Sequence, residues 1–251
     1  MGVIQTEAIL HPDGRVVEWG CAFEYHLAMA AGLVALLDRA DGHKAVGKGV
    51  VIGLGGGALL SLLKSLAPEF FWTAVELDRG VVDIAQQHFG FKADEKVEVV
   101  VGDGLALRCA REGGQDRLNH AGSTLLPSSQ NVIMIDVDSK DASVGMSCPP
   151  IVFLGQAYLC TLRDLLVEGG VLAVNVSARD PALLKMAAGR LQQVFTTVWV
   201  GGEDGEEGEA LNVVLFGVKE NSTGTEKLDQ PMLLQRLQSW CEAVGPPEER
   251  V

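Results

Sequence analysis

Gly49-Val50-Val51-Ile52-Gly53-Leu54-Gly55-Gly56-Gly57-Ala58-Leu59-Leu60 decides how this chain folds. A short apolar run that ends in glycines reads as a buried parallel strand, and residues 58–67 continue at helical spacing. Strand, glycine bend and helix in that order predict one unit of a parallel α/β sheet. Glycines at the bend let the backbone approach a ligand closely and aim the helix N-terminus at it. A tight structural turn is the other reading of Gly53 to Gly57.

The alternation continues downstream. Phe71 to Leu77 reads as a second strand followed by a helix at 79–89, and Val97 to Val101 as a third strand ending at Gly102-Asp103-Gly104. Residues 105–112 are expected to be helical. Residues 113–130, polar and rich in Gly and Ser, are expected to form a mobile loop. Asn131 to Asp136 is the fourth strand and 137–150 a long loop closed by Pro149-Pro150. A helix at 151–167 stops at Glu168-Gly169-Gly170, and Val171 to Val176 is the fifth strand.

After a helix at 181–193, Val194 to Val200 and Ala210 to Val218 flank a short acidic, glycine-rich turn. Two strands so joined form an antiparallel hairpin. Upstream, residues 3–19 read as a β-hairpin around His11-Pro12-Asp13-Gly14, and 23–39 as a helix. The predicted organisation is an N-terminal hairpin (1–20), a catalytic-type domain (21–219) and a C-terminal linker with a helix at 231–244 (220–251). The whole is a doubly wound, mostly parallel, Rossmann-like sheet that ends in an antiparallel hairpin. It resembles the seven-strand fold of class I methyltransferases.

Composition narrows the partners. With 251 residues and 47% hydrophobic content the chain suits one α/β domain with small additions. A net charge of −13 argues against nucleic acid, which needs a basic footprint, and suits a basic protein or a polyamine. No run of about 18 apolar residues predicts a membrane span, and no basic-then-apolar N-terminus predicts a secretory signal. Five scattered cysteines lack metal-ligand spacing and fit reduced thiols in the cytoplasm or nucleus.

Glu76 ends the second strand about twenty residues beyond the glycines, where a carboxylate accepts both ribose hydroxyls of an adenosine. That pattern fits NAD and S-adenosylmethionine alike. The compact glycine spacing, the closing hairpin and Asp103 at the third strand's tip favour S-adenosylmethionine. Asp103 is placed to meet the adenine amino group, or else to cap a helix. Asp136, Asp138 and Asp141 cluster where the fourth strand ends. Carboxylates there can hold a cationic amine and help it shed a proton, although a turn-and-capping cluster is the plainer reading. Tyr25 and His26 open the first helix, either as a lid over the acceptor or as ordinary polar residues.

The chain resembles the methyltransferase-like protein 13 family, the elongation factor 1-alpha lysine and N-terminal methyltransferases, over much of residues 23–218. Broadly shared motifs are Gly53-Leu54-Gly55-Gly56-Gly57, Ala74-Val75-Glu76-Leu77-Asp78, Phe89-Gly90-Phe91 and Gly102-Asp103-Gly104-Leu105. Asp136-Val137-Asp138-Ser139-Lys140-Asp141, continuing through Gly145-Met146-Ser147-Cys148-Pro149-Pro150, is the narrower signature. The resemblance implies S-adenosylmethionine as donor, held at Gly53, Leu54, Gly55, Gly57, Glu76, Leu77, Asp103, Gly104 and Asp136. It implies methylation of the N-terminal α-amine of elongation factor 1-alpha; Asp136, Asp138, Tyr25 and His26 are the candidates for the reaction centre by their own positions.

The same region is similar to spermidine synthase, an aminopropyltransferase whose relatives dimerise through N-terminal strands, which makes a homodimer an expectation for residues 3–19. Ala58-Leu59 stand where the synthase pattern carries Asp-Gly, so the acid that would hold a diamine is missing. A non-catalytic scaffold of the same fold is the remaining alternative.

Overall fold

The computed structural model describes residues 12–13, 24–37, 46–110, 117–119, 122–139, 145–201 and 211–220. The predicted hairpin at 3–19 and helix at 231–244 lie outside these residues, apart from Pro12 and Asp13.

An eight-stranded sheet organises the rest. Its parallel part comprises β1 (Gly47–Ile52), β2 (Phe70–Glu76), β3 (Val97–Val101), β7 (Gln130–Ile135) and β9 (Leu166–Ala178). The antiparallel end comprises β10 (Thr197–Gly201) and β11 (Leu211–Val218). The order across the sheet is β10-β11-β9-β7-β1-β2-β3, with β8 (Met146–Cys148) paired to β9 off this path. The order reverses between β1 and β7, so the crevice for a ligand is expected at the carboxyl ends of those strands. The doubly wound sheet with its closing hairpin is therefore the architecture present.

Alternation along each strand divides the core in two. Val50, Ile52, Ile133, Ile135, Leu172 and Val174 face α4 (Gln156–Leu165) and α5 (Pro181–Gln192). Val51, Met134 and Ala173 face α1 (Glu24–Leu37), α2 (Ala58–Leu66) and α3 (Arg79–His88). Helix α2 buries Leu59, Leu60, Leu62 and Leu63 as one face. Each such leucine contributes roughly 1.5–3 kcal/mol by leaving water, and Leu63→Ala would cost about 2–5 kcal/mol. Helix starts are set by short acids: Asp78 accepts the Gly80 N–H at 2.7 Å, and Asp180 accepts that of Ala182 at 2.8 Å with Pro181 opening α5.

Five expectations need correction. Residues 105–112 are not a helix: a single 3-10 turn (Gly104–Ala106) gives way to β4 (Arg108–Cys109). Leu105, Leu107 and Cys109 alternate with period two, and that strand pattern prevails over the helical one. Within 113–130, β5 (Arg117–Asn119) and β6 (Gly122–Leu125) join β4 in a three-stranded sheet, so the polar composition hides paired backbone.

The 137–150 loop contains β8, which pairs the part of β9 that extends past the end of β7. Gly155 splits the 151–167 helix into a 3-10 turn (Ile151–Leu154) and α4. Likewise Glu168-Gly169-Gly170 does not precede the fifth strand but lies inside β9. Gly169 takes φ +75° there as the register with β7 shifts, the behaviour of glycine in a bulge.

Candidate functional site

Where the order of the sheet reverses, β1 ends in a bend that only glycine can make. Gly53 has φ +93°, and a Cβ on it would lie 2.0 Å from the Asp136 carbonyl oxygen. Its N–H donates to the Val75 carbonyl at 2.8 Å, so the bend is stitched to the tip of β2. Gly55 differs. Its φ is +53° and a Cβ there would meet nothing within 4 Å, which leaves an open cradle beside the backbone.

Glu76, the last residue of β2, points its side chain into this bend and is 9% exposed. One carboxylate oxygen accepts the Leu54 N–H at 2.9 Å and the other accepts the Asp78 N–H at 3.0 Å. A carboxylate offers about four lone-pair sites. Two backbone bonds fix its orientation and leave two sites for a vicinal diol.

Leu77, next along the chain, is apolar yet 72% exposed. At the tip of β3, Asp103 accepts the Leu105 N–H at 2.9 Å, capping the 3-10 turn, and stays exposed. Its second oxygen makes no hydrogen bond among the described residues. The Tyr158 hydroxyl donates to the Gly104 carbonyl at 2.7 Å from below. Burial, and then the nearby Asp103 charge, push that phenol well above the usual tyrosine range, so it remains a donor. A diol-accepting acid, an exposed apolar side chain and a second acid on adjacent tips fit a nucleoside.

On the other side of the bend stands Asp136, just past β7, with its N–H donating to the Ile52 carbonyl at 2.9 Å. One carboxylate oxygen accepts from Asn175 Nδ2 at 2.9 Å. The other lies 3.4 Å from the Tyr25 hydroxyl and 3.6 Å from His26 Nε2, both at the start of α1. Tyr25 and His26 touch through their rings, with centroids 4.3 Å apart. Asp138 is exposed two residues further on. Asp141 and Lys140 fall outside the described residues. Burial, together with Asp136 and Asp138, holds the Cys148 thiol well above its ordinary value, so it stays protonated and donates to the Asn175 carbonyl at 3.4 Å.

The structure thus brings Gly53, Leu54, Gly55, Gly57, Glu76, Leu77, Asp103, Gly104 and Asp136 to adjacent strand tips, with Tyr25 and His26 reaching Asp136. Sequence reasoning missed Tyr158 and Asn175. A polar amide one residue short of the predicted end of the apolar fifth strand was the available signal for Asn175. Nothing in the sequence marked the Tyr158 hydroxyl. Among the described residues no His, Cys, Asp or Glu group is arranged to hold a metal.

No protein-family model matches the chain. The zebrafish (Danio rerio) eEF1A lysine and N-terminal methyltransferase is 36% identical over 188 residues, 74% of this chain and 26% of that protein. The human one is 33% identical over 224 residues, 89% of this chain and 30% of that protein. The chain therefore spans less than a third of the length of these curated relatives. A probable spermidine synthase from Corynebacterium glutamicum shares the fold at 20% identity, with a TM-score of 0.66 over 87% of this chain and 72% of that one. The crystal structure of human methyltransferase-like protein 13 in complex with SAH superposes with a TM-score of 0.70 at 31% identity, over 92% of this chain and 98% of that chain. On that identity and near-complete coverage, the chain belongs to the methyltransferase-like protein 13 family.

Proposed function

We propose that the chain is an S-adenosylmethionine-dependent methyltransferase acting on a protein amine, the N-terminal α-amine of elongation factor 1-alpha. The observation that carries this reading is the buried Glu76 carboxylate hydrogen-bonded to Leu54 in the glycine bend, with Asp136 held on the bend's other side. Glu76 accepts the two ribose hydroxyls. Leu54, Gly55 and Gly57 shape the backbone cradle, and Leu77 covers a face of the adenine. Asp103 accepts from the adenine amino group, and Gly104 keeps that turn close. S-adenosylmethionine bound there supplies an electrophilic methyl on a sulfonium.

Asp136 accepts hydrogen bonds from the incoming amine and aligns its lone pair. An α-amine, with a reference pKa near 8, loses its proton at lower cost than lysine near 10.4. The proton leaves through the Asp136 oxygen that faces Tyr25 and His26, and Asp138 draws the cationic substrate toward the opening. The net charge of −13 suits a basic protein partner, here elongation factor 1-alpha in the cytoplasm, and a homodimer belongs to the same reading.

Intact mass spectrometry of elongation factor 1-alpha with a free or an acetylated N-terminus tests this. Methyl gain on the free form alone supports it; gain on neither sinks it. Consumption of decarboxylated cofactor with putrescine would instead support the aminopropyltransferase. Calorimetry showing no cofactor binding would support a scaffold.

A further inference from the structure

Asn175 stands on β9 one residue beyond the Val174–Ile135 pair, and its strand neighbours Val171, Leu172, Ala173, Val174 and Val176 are all apolar and buried. It is 4% exposed. Its Nδ2 donates to Asp136 at 2.9 Å, while its amide oxygen is buried with no hydrogen-bond partner among the described residues. An apolar side chain of the same size would fill that place in the core without an unsatisfied acceptor. Stability of the sheet therefore does not explain the amide.

The contacts of Asp136 do explain it. Among its side-chain contacts with described residues, the bond from Asn175 is the short one; the Tyr25 hydroxyl and His26 Nε2 sit at 3.4 and 3.6 Å from the other oxygen, too far to lock a rotamer. We infer that Asn175 is a positioning residue that pins one oxygen of Asp136 and thereby turns the other toward Tyr25, His26 and the acceptor amine. It acts through Asp136 and does not itself touch the reacting atoms. This inference rests on the methyltransferase reading above and adds to it the residue that sets the geometry of its acceptor acid.

The test uses the full chain with Asn175→Leu and Asn175→Ser. Cofactor dissociation constant, thermal melting, and kcat and KM toward a peptide with a free N-terminal amine are measured for each. Asn175→Leu is expected to leave cofactor affinity within about two-fold, to melt no lower than the wild type, and to lose about ten- to a hundred-fold in kcat, since misplacement of about 1 Å costs that much. In an Asp136→Asn background the same substitution should add little, because both act on one contact.

Unchanged kcat in a variant that binds cofactor normally overturns the inference. So does a loss of kcat matched by equal losses in cofactor affinity and melting, which is the mark of a structural role. A wild type that binds cofactor but methylates no amine defeats the underlying reading instead. Melting then still decides Asn175: a Leu variant that melts lower overturns the positioning role, and one that melts no lower supports an amide kept for the site.

Discussion

Glu76 at the end of β2 takes the Leu54 N–H of the neighbouring bend at 2.9 Å while 9% exposed. One side chain thus sets the spacing of two strand tips and brings a carboxylate into that bend. Both of its oxygens are already oriented by backbone, so a ligand diol meets a preorganised acceptor and not a mobile acid. The Asp78 N–H that holds the second oxygen comes from the residue that also caps α3, which ties the site to the helix start.

Replacing Glu76 with alanine removes the diol acceptor and leaves the Leu54 N–H without its partner. Cofactor affinity should fall by roughly 1.5–3 kcal/mol, the size of a charge-assisted hydrogen bond. Isothermal titration with S-adenosylhomocysteine measures it, and unchanged affinity would remove Glu76 from the site.

Gly53→Ala should damage both halves of the site at once. The new Cβ would need to occupy space 2.0 Å from the Asp136 carbonyl oxygen, at a φ of +93° that side chains rarely adopt. Strain of about 1–3 kcal/mol is expected from the dihedral alone, and the clash adds to it. For a chain of this size each 1 kcal/mol lowers Tm by roughly 2–4 °C. A variant melting like the wild type would show that the bend is not so constrained.

Much of this was legible in advance, for a physical reason. Parallel strands buried on both faces are continuous apolar runs, so β1, β2, β3 and β7 announce themselves, and Glu76 and Asp136 follow by position at their tips. Short elements carry too few residues to show a period. Arg108–Cys109 is held by ladder bonds to β6 across the intervening β5, and Arg117–Asn119 pairs with β6 in a hairpin too short to show a period. Asn175 shows in the sequence only as a polar residue in an apolar strand, because its meaning lies in a bond to Asp136, 39 positions away.

Asp136→Asn keeps the shape and the contact with Asn175 but removes the charge that steadies a cationic amine and takes its proton. Turnover should drop by about a hundred-fold or more, in the range for a positioned acid–base group, with cofactor affinity little changed. Steady-state kinetics beside a binding titration separates the two. A change confined to cofactor affinity would contradict the role given to Asp136.

Tyr158→Phe tests the support beneath the adenine side. The hydroxyl donates to the Gly104 carbonyl at 2.7 Å, and its loss leaves that buried acceptor next to Asp103 with the Leu107 N–H alone, at 3.2 Å. Stability should fall by about 0.5–1.5 kcal/mol, the net worth of one hydrogen bond, and cofactor affinity should weaken more than KM for the peptide. Equal weakening of both would place the effect outside the Asp103 turn.

Cys148 gives a prediction of opposite character, that a thiol beside the reaction centre is chemically quiet. Burial first, then the charges of Asp136 and Asp138, push its pKa well above the ordinary value, so the folded thiol stays protonated where a free one would ionise. Only the thiolate reacts readily with alkylating reagents. In native protein near neutral pH, Cys109 and Cys160, both half-buried, should therefore label before Cys148, which becomes reactive only on denaturation. The sign of the stability effect follows from linkage. Below about 8.5, the usual thiol pKa, folded and unfolded forms are both protonated and Cys148 contributes its full share. As pH rises past that value the unfolded thiol ionises while the folded one resists, so stability declines. Cys148→Ala should flatten the alkaline limb of a Tm-against-pH curve, whatever it does to the absolute Tm. A limb of unchanged slope, or labelling of Cys148 in the native protein as fast as of Cys160, would show that the thiol ionises freely beside Asp136.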